Sequence, residues 1–361
     1  AALNAMGIEK LKAVRKPDRR RWRKNNRARG LVFTPRLPQF PAMTTTLTTR
    51  SGALADGFPL GTMQFGGRAD AVESRRMYDA ARAAGLNHFD TAVRYTQGEA
   101  EKLLGGFVRP ERDKIFLATK VAYAGGCGRE NIRAQFDVCR SQLRMDEVDL
   151  LYLHRWDNET ELEETFSTLA ELQEAGQIRH IGVSNYAAWQ VMKAQAVAQS
   201  LGTRIDVIQP MYNLVKRQAE VEILPMAMDQ SMAVCPYSPL GGGLLTGKYA
   251  AGGTGRLTED PMYTSRYGQD WMHKAAADFA GLAREQGVAP ATLAVAWVAA
   301  HPAKPRPIIS ARSAGQLAPS LAAIGFDLCR QDSQDCALAN TVGANNCCVF
   351  AWCDFKTHIK K

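Results

Sequence analysis

The chain has 361 residues, 46% of them hydrophobic and 22% charged, with a mean hydropathy of −0.25. That composition excludes wholesale disorder, and no run of 18 apolar residues offers a membrane-spanning helix. The formal net charge of +9 resembles a nucleic-acid signal until it is divided along the chain.

Residues 1–42 carry 12 Lys/Arg against 2 Asp/Glu, whereas residues 43–326 carry 29 against 30. The basic segment holds Arg19-Arg20-Arg21-Trp22-Arg23-Lys24 and then Pro35, Pro38 and Pro41, with no apolar periodicity, and reads as an unstructured extension. A targeting segment and a nucleic-acid arm are the alternatives. Met43-Thr-Thr-Thr then looks like a natural start. From about residue 54, β-rich runs alternate with amphipathic helices. Strands are predicted at Phe58–Met63, Asn87–Asp90, Ile115–Thr119, Val148–His154, Ile178–Val183, Ile205–Gln209, Met232–Tyr237 and Pro307–Ser310. Helices are predicted near 70–84, 97–108, 129–145, 159–175, 186–200, 218–230, 271–287 and 314–323, with an extra one near 290–301. The long polar loop from Ala250 to Trp271 is a candidate lid. Residues 327–361 carry 4 basic and 4 acidic residues and five of the 8 cysteines, and read as a poorly ordered tail. Cys127, Cys139 and Cys235 alone lie in the body, so a disulfide framework is not expected there and a reducing, cytoplasmic compartment is.

Eight strand–helix units in this length predict a (β/α)8 TIM barrel over residues 43–326, flanked by the two extensions. A doubly wound sheet fits less well, because the first strand ends Gly61-Thr-Met-Gln-Phe-Gly66 with no G-x-G-x-x-G.

In a barrel, polar residues at the carboxyl ends of strands face the active site. Asp90 and His154 end their predicted strands and Lys120 directly follows the one between them, while Tyr95 sits five residues after Asp90. Tyrosine's ordinary pKa of about 10 is high for a proton donor near neutrality, and a neighbouring ammonium lowers it. A carboxylate pins that ammonium, and a histidine N–H can orient a carbonyl oxygen. The four together can protonate a carbonyl oxygen while hydride arrives at its carbon. His88 is the other nearby candidate ligand and is expected to face opposite to the neighbours of Asp90 on its strand; metal binding is the poorer reading and no metal is expected.

Asp90-Thr-Ala-x-x-Tyr95, Ala118-Thr-Lys120, Asp149-Leu-Leu-Tyr-Leu-His154, Gly182-Val-Ser-Asn185, Gln209-Pro-Met-Tyr-Asn213 and Tyr237-Ser-Pro-Leu-Gly241 stand in an order and spacing that resembles the aldo-keto reductases. The resemblance covers roughly 54–322 and implies NADPH, or less often NADH, as hydride donor, with Tyr95 as general acid. It also implies that Thr62 and Met63 approach the nicotinamide ribose, and that Ser184, Asn185 and Gln209 hold the carboxamide. Tyr212 is the favoured ring-stacking residue over Tyr237. The backbone of Tyr237, Ser238, Pro239, Leu240 and Gly241 is assigned to the ribose and pyrophosphate. Gly242 to Lys248 spells G-x-x-x-x-G-K, but Tyr249 stands where a P-loop needs Ser or Thr. Lys248 and Arg256 are instead expected to add charge at the pyrophosphate. Ser310, Arg312 and Gln316 resemble the adenosine-phosphate site, with Arg312 facing a 2′-phosphate. Pro319 and Ser320 stand where many relatives carry Glu and Asn against the adenine. Trp156 is expected to line the carbonyl pocket, and Trp189 and Trp297 to lie in the core.

These expectations describe a reversible NADPH-dependent reductase of small-molecule aldehydes or ketones, without membrane partners and with nucleic acid confined to the 1–42 arm. A sugar or pyridoxal-type dehydrogenase is the near alternative. A nicotinamide-binding sensor, of the kind formed by potassium-channel beta subunits, is the alternative from another class.

Overall fold

The computed structural model describes residues 45–55, 57–326 and 328. The basic segment 1–42 and the cysteine-rich segment from 327 onward, Leu328 apart, lie outside the described residues. Seven strands pair in parallel in sequence order: β1 (Leu60–Gly61), β2 (His88–Asp90), β3 (Phe116–Val121), β4 (Val148–Leu153), β5 (Ile178–Ser184), β6 (Val207–Gln209) and β7 (Ala233–Val234). Helices α1 (Ala71–Ala83), α2 (Glu99–Val108), α3 (Arg129–Leu143), α4 (Leu162–Glu174), α5 (Ala188–Ser200) and α6 (Ile223–Asp229) each follow the strand of the same number. The eighth predicted strand is an extended segment that closes the cylinder. Arg306 N donates to Val234 O (2.8 Å) and Ile308 N to Pro236 O (2.9 Å) on one side, while Gly61 N donates to Ile309 O (2.8 Å) on the other. Closure leaves the sheet without an edge, and every residue of β3 and β4 is buried, as parallel strands covered on both faces require.

Between β7 and the closing segment stand α7 (Arg256–Glu259), α8 (Pro261–Tyr267), α9 (Asp270–Glu285) and α10 (Pro290–Ala299), and α11 (Ala314–Leu321) follows it. Short side chains cap several of the helices: Asp70 accepts from Glu73 N at the start of α1, and Ser313 from Gln316 N at the start of α11. Trp297 is buried on α10 as expected, whereas Trp189 on α5 is 60% exposed and is not a core residue. Among the described residues, no helix is long and apolar enough to cross a membrane.

Side-chain alternation sorts each strand into an inner and an outer set. Phe116, Ala118, Leu150, Tyr152, Val207, Ala233, Cys235 and Ile308 fill the barrel interior. Leu117, Val121, Leu151, Leu153 and Ile181 face the helices. Gly182 pairs with Tyr152, and a Cβ there would lie 2.4 Å from the Tyr152 ring, so glycine is what lets this tyrosine cross the interior. Leu47 and Ala55 belong to the same interior cluster. They flank a hairpin bridged at Thr48 and Leu54 that plugs the amino-terminal end of the barrel, an element outside the sequence prediction. Arg179 ties it down, donating to Thr48 O (2.7 Å) and to the buried Asp149 carboxylate (3.0 Å).

Candidate active site

Strand register brings the four ionisable groups to one level. Asp90 pairs with Ala118, Lys120 with Tyr152, and His154 N donates to Val121 O (2.9 Å). Asp90, Ala118 and Lys120 share the inward parity, so the lysine ammonium meets the carboxylate across neighbouring strands. Lys120 Nζ contacts Asp90 Oδ1 and donates to Thr91 O (2.8 Å), while the other carboxylate oxygen accepts from Gln209 Nε2 (3.0 Å). Thr62 donates its N–H (2.9 Å) and hydroxyl (3.2 Å) to the Asp90 carbonyl. The ammonium lies 5.1 Å from the Tyr95 ring centroid and 5.6 Å from that of Tyr152 beneath it. Tyr95 also meets His154 edge-to-face at 6.0 Å.

Burial sets the protonation states. It disfavours the Lys120 charge, but the adjacent Asp90 carboxylate outweighs it and holds the pKa above the usual lysine value. Tyr95 is pushed above 10 by burial, against the charge and hydrogen bond of Lys120. Desolvation therefore wins over the lysine, opposite to the lowering expected from the charge pair alone, and the phenol stays protonated. His154 falls to about 3 through burial, with Lys120, Arg94 and Arg155 adding repulsion, so its imidazole is neutral. Its Nδ1 is buried without a partner among the described residues, which leaves Nε2 as the nitrogen open to the site.

This cluster forms the end of a cavity of about 820 Å³ that runs over the carboxyl ends of the strands. Met63, Ser184, Asn185, Gln209, Tyr237, Ser238, Pro239, Leu240, Lys248, Arg256, Ser310, Arg312 and Gln316 line it with the cluster. Asn185 adopts a left-handed backbone (φ +60) and bridges two strand ends, donating to His154 O (2.9 Å) and accepting from the Tyr237 hydroxyl (2.7 Å). Arg256 and Met262, Tyr263 and Arg266 of the long loop also face the cavity, whereas Tyr267 is buried and donates toward Met211 Sδ (3.6 Å).

Several expected site residues lie elsewhere. Met211 bridges to Tyr237, so Tyr212, its neighbour in extended backbone, points the other way. Tyr212 is fully buried against Trp297 (5.4 Å), with its hydroxyl on Glu220 (2.8 Å), and Tyr237 is the tyrosine that lines the cavity. Thr62 is fully buried and spends its hydroxyl on the Asp90 carbonyl. Gly241 is buried below the cavity wall, which is made by Gly242 and Gly243 in left-handed conformations (φ +67 and +98). Trp156 turns away from the cavity to Tyr186 (5.1 Å) and Trp189 (5.8 Å). Lys120 is fully buried beside Asp90 and is not part of the cavity wall. His88 shares the parity of Asp90, opposite to Phe89 and Thr91, and points into the barrel against Phe116 (4.7 Å). Arg94, Tyr123 and Arg155 line the cavity without having been singled out. Their signal was available: Arg94 directly precedes Tyr95, Arg155 directly follows His154, and Tyr123 lies three residues past Lys120.

The cavity fits an elongated phosphate-bearing ligand. A Cβ on Gly242 would come within 2.8 Å of Tyr263, so the backbone there is bare by necessity. Ser310 Oγ is buried without a partner among the described residues, and Lys248, Arg256 and Arg312 supply positive charge. Among the described residues no group of His, Cys, Asp and Glu forms a metal-ligand cluster.

Residues 59–340 match the sequence model described as the Aldo/keto reductase family. The uncharacterized oxidoreductase YrpG of Bacillus subtilis is 31% identical over 304 residues, covering 78% of this chain and 91% of its own. A probable voltage-gated potassium channel subunit beta from Oryza sativa is 30% identical, covering 76% of this chain and 89% of its own. Aflatoxin B1 aldehyde reductase member 2 of Rattus norvegicus is 37% identical, but over only 55% of this chain and 56% of its own. Among solved structures, a glycerol dehydrogenase from Gluconobacter oxydans superposes with a TM-score of 0.66 at 28% identity, covering 79% of this chain and 91% of its own.

Proposed function

The chain belongs to the aldo/keto reductase family and is an oxidoreductase, and from that premise we propose that it reduces an aldehyde or ketone to an alcohol with NADPH, reversibly. The observation that carries the reading is a protonated phenol, Tyr95, at the cavity end, backed by the buried Lys120–Asp90 pair and flanked by neutral His154. The catalytic unit is assigned to residues 43–326.

The residues divide the work as follows. Met63, Ser184, Asn185, Gln209 and Tyr237 would hold the nicotinamide end, and Gly242, Gly243, Lys248, Arg256, Ser310, Arg312 and Gln316 the phosphates and adenosine. When bound, the reduced nicotinamide supplies the hydride. His154 Nε2 donates a hydrogen bond to the substrate carbonyl oxygen, and its low pKa keeps it from competing as an acid. Tyr95 gives its hydroxyl proton to that oxygen. Lys120 stabilises the phenolate left behind, and Asp90, fixed by Thr62 and Gln209, keeps the ammonium in place. Arg312, with its planar fork, favours the 2′-phosphate of NADPH over NADH.

The test is NADPH consumption with an aldehyde panel, run on the wild type beside Tyr95→Phe, with cofactor binding read by fluorescence quenching. Turnover in the wild type is expected to fall at least about a hundredfold in Tyr95→Phe, since a positioned acid contributes 10²–10⁴, while binding persists. Cofactor binding without turnover of any carbonyl would establish the sensor reading instead.

A further inference from the structure

Among the described residues, six basic side chains line the cavity (Arg94, Arg155, Lys248, Arg256, Arg266 and Arg312) against a single acidic one, Asp90, whose charge is met by Lys120. The proposed cofactor accounts for Lys248, Arg256 and Arg312, and Arg266 lies over the Tyr263 ring of the long loop (5.5 Å). The cofactor does not account for Arg94 and Arg155. They belong to the loops after β2 and β4, Arg94 directly before Tyr95 and Arg155 directly after His154.

The two guanidiniums converge on one ring. Arg94 Cζ lies 4.5 Å and Arg155 Cζ 5.0 Å from the centroid of Tyr123, and Tyr123 meets His154 edge-to-face at 5.1 Å. Tyr123 is thrown into this position directly after β3 by Ala122, held in a left-handed conformation (φ +60) with its N–H on Gln135 Oε1 (2.8 Å). Neither arginine makes an ion pair or a side-chain hydrogen bond among the described residues. A guanidinium stacked on a ring has its flat face occupied while its N–H edge stays free, which is the arrangement that takes a carboxylate or phosphate in its plane. Their charge also reaches the reacting centre, because both arginines help hold His154 neutral.

Building on the reductase reading, we infer that the substrate is an anionic carbonyl compound, bearing a carboxylate or phosphate, and that Arg94 and Arg155 determine this specificity. The carbonyl oxygen sits at Tyr95 and His154, and the anion sits at the guanidinium edges above Tyr123. A cleft of one sign also concentrates an anionic substrate and makes its capture salt-dependent.

The experiment measures kcat/KM for two matched pairs with NADPH saturating: 4-carboxybenzaldehyde against 4-methylbenzaldehyde, and glyceraldehyde 3-phosphate against glyceraldehyde. The wild type is expected to favour a charged member by at least about tenfold, the range of a hydrogen bond to a charged group. The preference should reside in KM and shrink with added NaCl. In the Arg94→Gln/Arg155→Gln double variant the ratio falls to near one, and Arg155→Lys retains part of it. A preference confined to one pair identifies the anion as carboxylate or phosphate. Equal kcat/KM within both pairs in the wild type, or a ratio that the double variant leaves unchanged, overturns the specificity while the reductase reading stands. No turnover of any of the four compounds overturns both.

Discussion

His88 shows what burial does to a single side chain in this barrel. Both its ring nitrogens are buried without partners among the described residues, and burial, with repulsion from Arg306 and Lys120, lowers its pKa to about 3. His154 also falls to about 3, whereas burial raises the Glu101 carboxyl, bonded to Thr119 Oγ1, to about 7. Between about pH 5 and 6 each histidine therefore binds a proton only in the unfolded chain, and Glu101 holds one only in the native protein. The unfolded chain binds one more proton overall, so stability from these groups is present near neutrality and is lost as the pH falls through that window. The pH dependence of urea unfolding should report a net uptake near one proton in the wild type, near none in His88→Phe and near two in Glu101→Gln. An unchanged slope in His88→Phe would mean that the His88 ring is charged, or already relieved of water, in both states.

At the scale of elements, the long loop is tied across the cavity it covers. Glu259, at the end of α7, pairs with Arg312 beyond the closing segment (3.2 Å) and with Arg68 beyond β1 (3.1 Å). The residue proposed for the 2′-phosphate is thus already engaged by a carboxylate, and the two anions compete for it. These side chains are part-exposed, so the pair is worth at most about 1 kcal/mol, and removing it should change affinity by no more than about fivefold. Glu259→Gln is expected to tighten NADPH within that range and leave NADH nearly unaffected, measured as Kd by fluorescence quenching. An equal gain for both cofactors would place the effect in loop closure rather than at the phosphate.

The elements themselves were legible because strands covered on both faces are near-continuous apolar runs, and α1 to α6 repeat an apolar stripe after each. Asp90, Lys120 and His154 were legible because strand ends and parity put them on one face. Tyr212 and Tyr237 were not distinguishable in this way: each stands just past a strand, and only the Met211–Tyr237 bridge decides which ring turns inward. The hairpin around Thr48 and Leu54 went unseen because its partners, Arg179 and the interior layer, are far away in sequence.

Across the whole molecule, chemistry and closure occupy opposite ends of one packed column. Leu47 and Ala55 seal the floor, Phe116, Leu150 and Tyr152 form the middle, and Lys120 rests above the Tyr152 ring. A close-packed interior transmits volume changes, but a cavity at the floor leaves the upper layers their own contacts. Leu47 is only 1% exposed, so Leu47→Ala should cost about 2–5 kcal/mol of stability, the range for emptying a buried leucine site. At a temperature well below its lowered Tm, the variant should keep the wild-type kcat, because neither the Lys120–Asp90 pair nor Tyr95 touches the floor. Thermal unfolding and turnover measured on the same preparation decide this. A kcat that falls in step with Tm would show that the hairpin sets the height of Tyr152 under the lysine, making the floor part of the site rather than only its support.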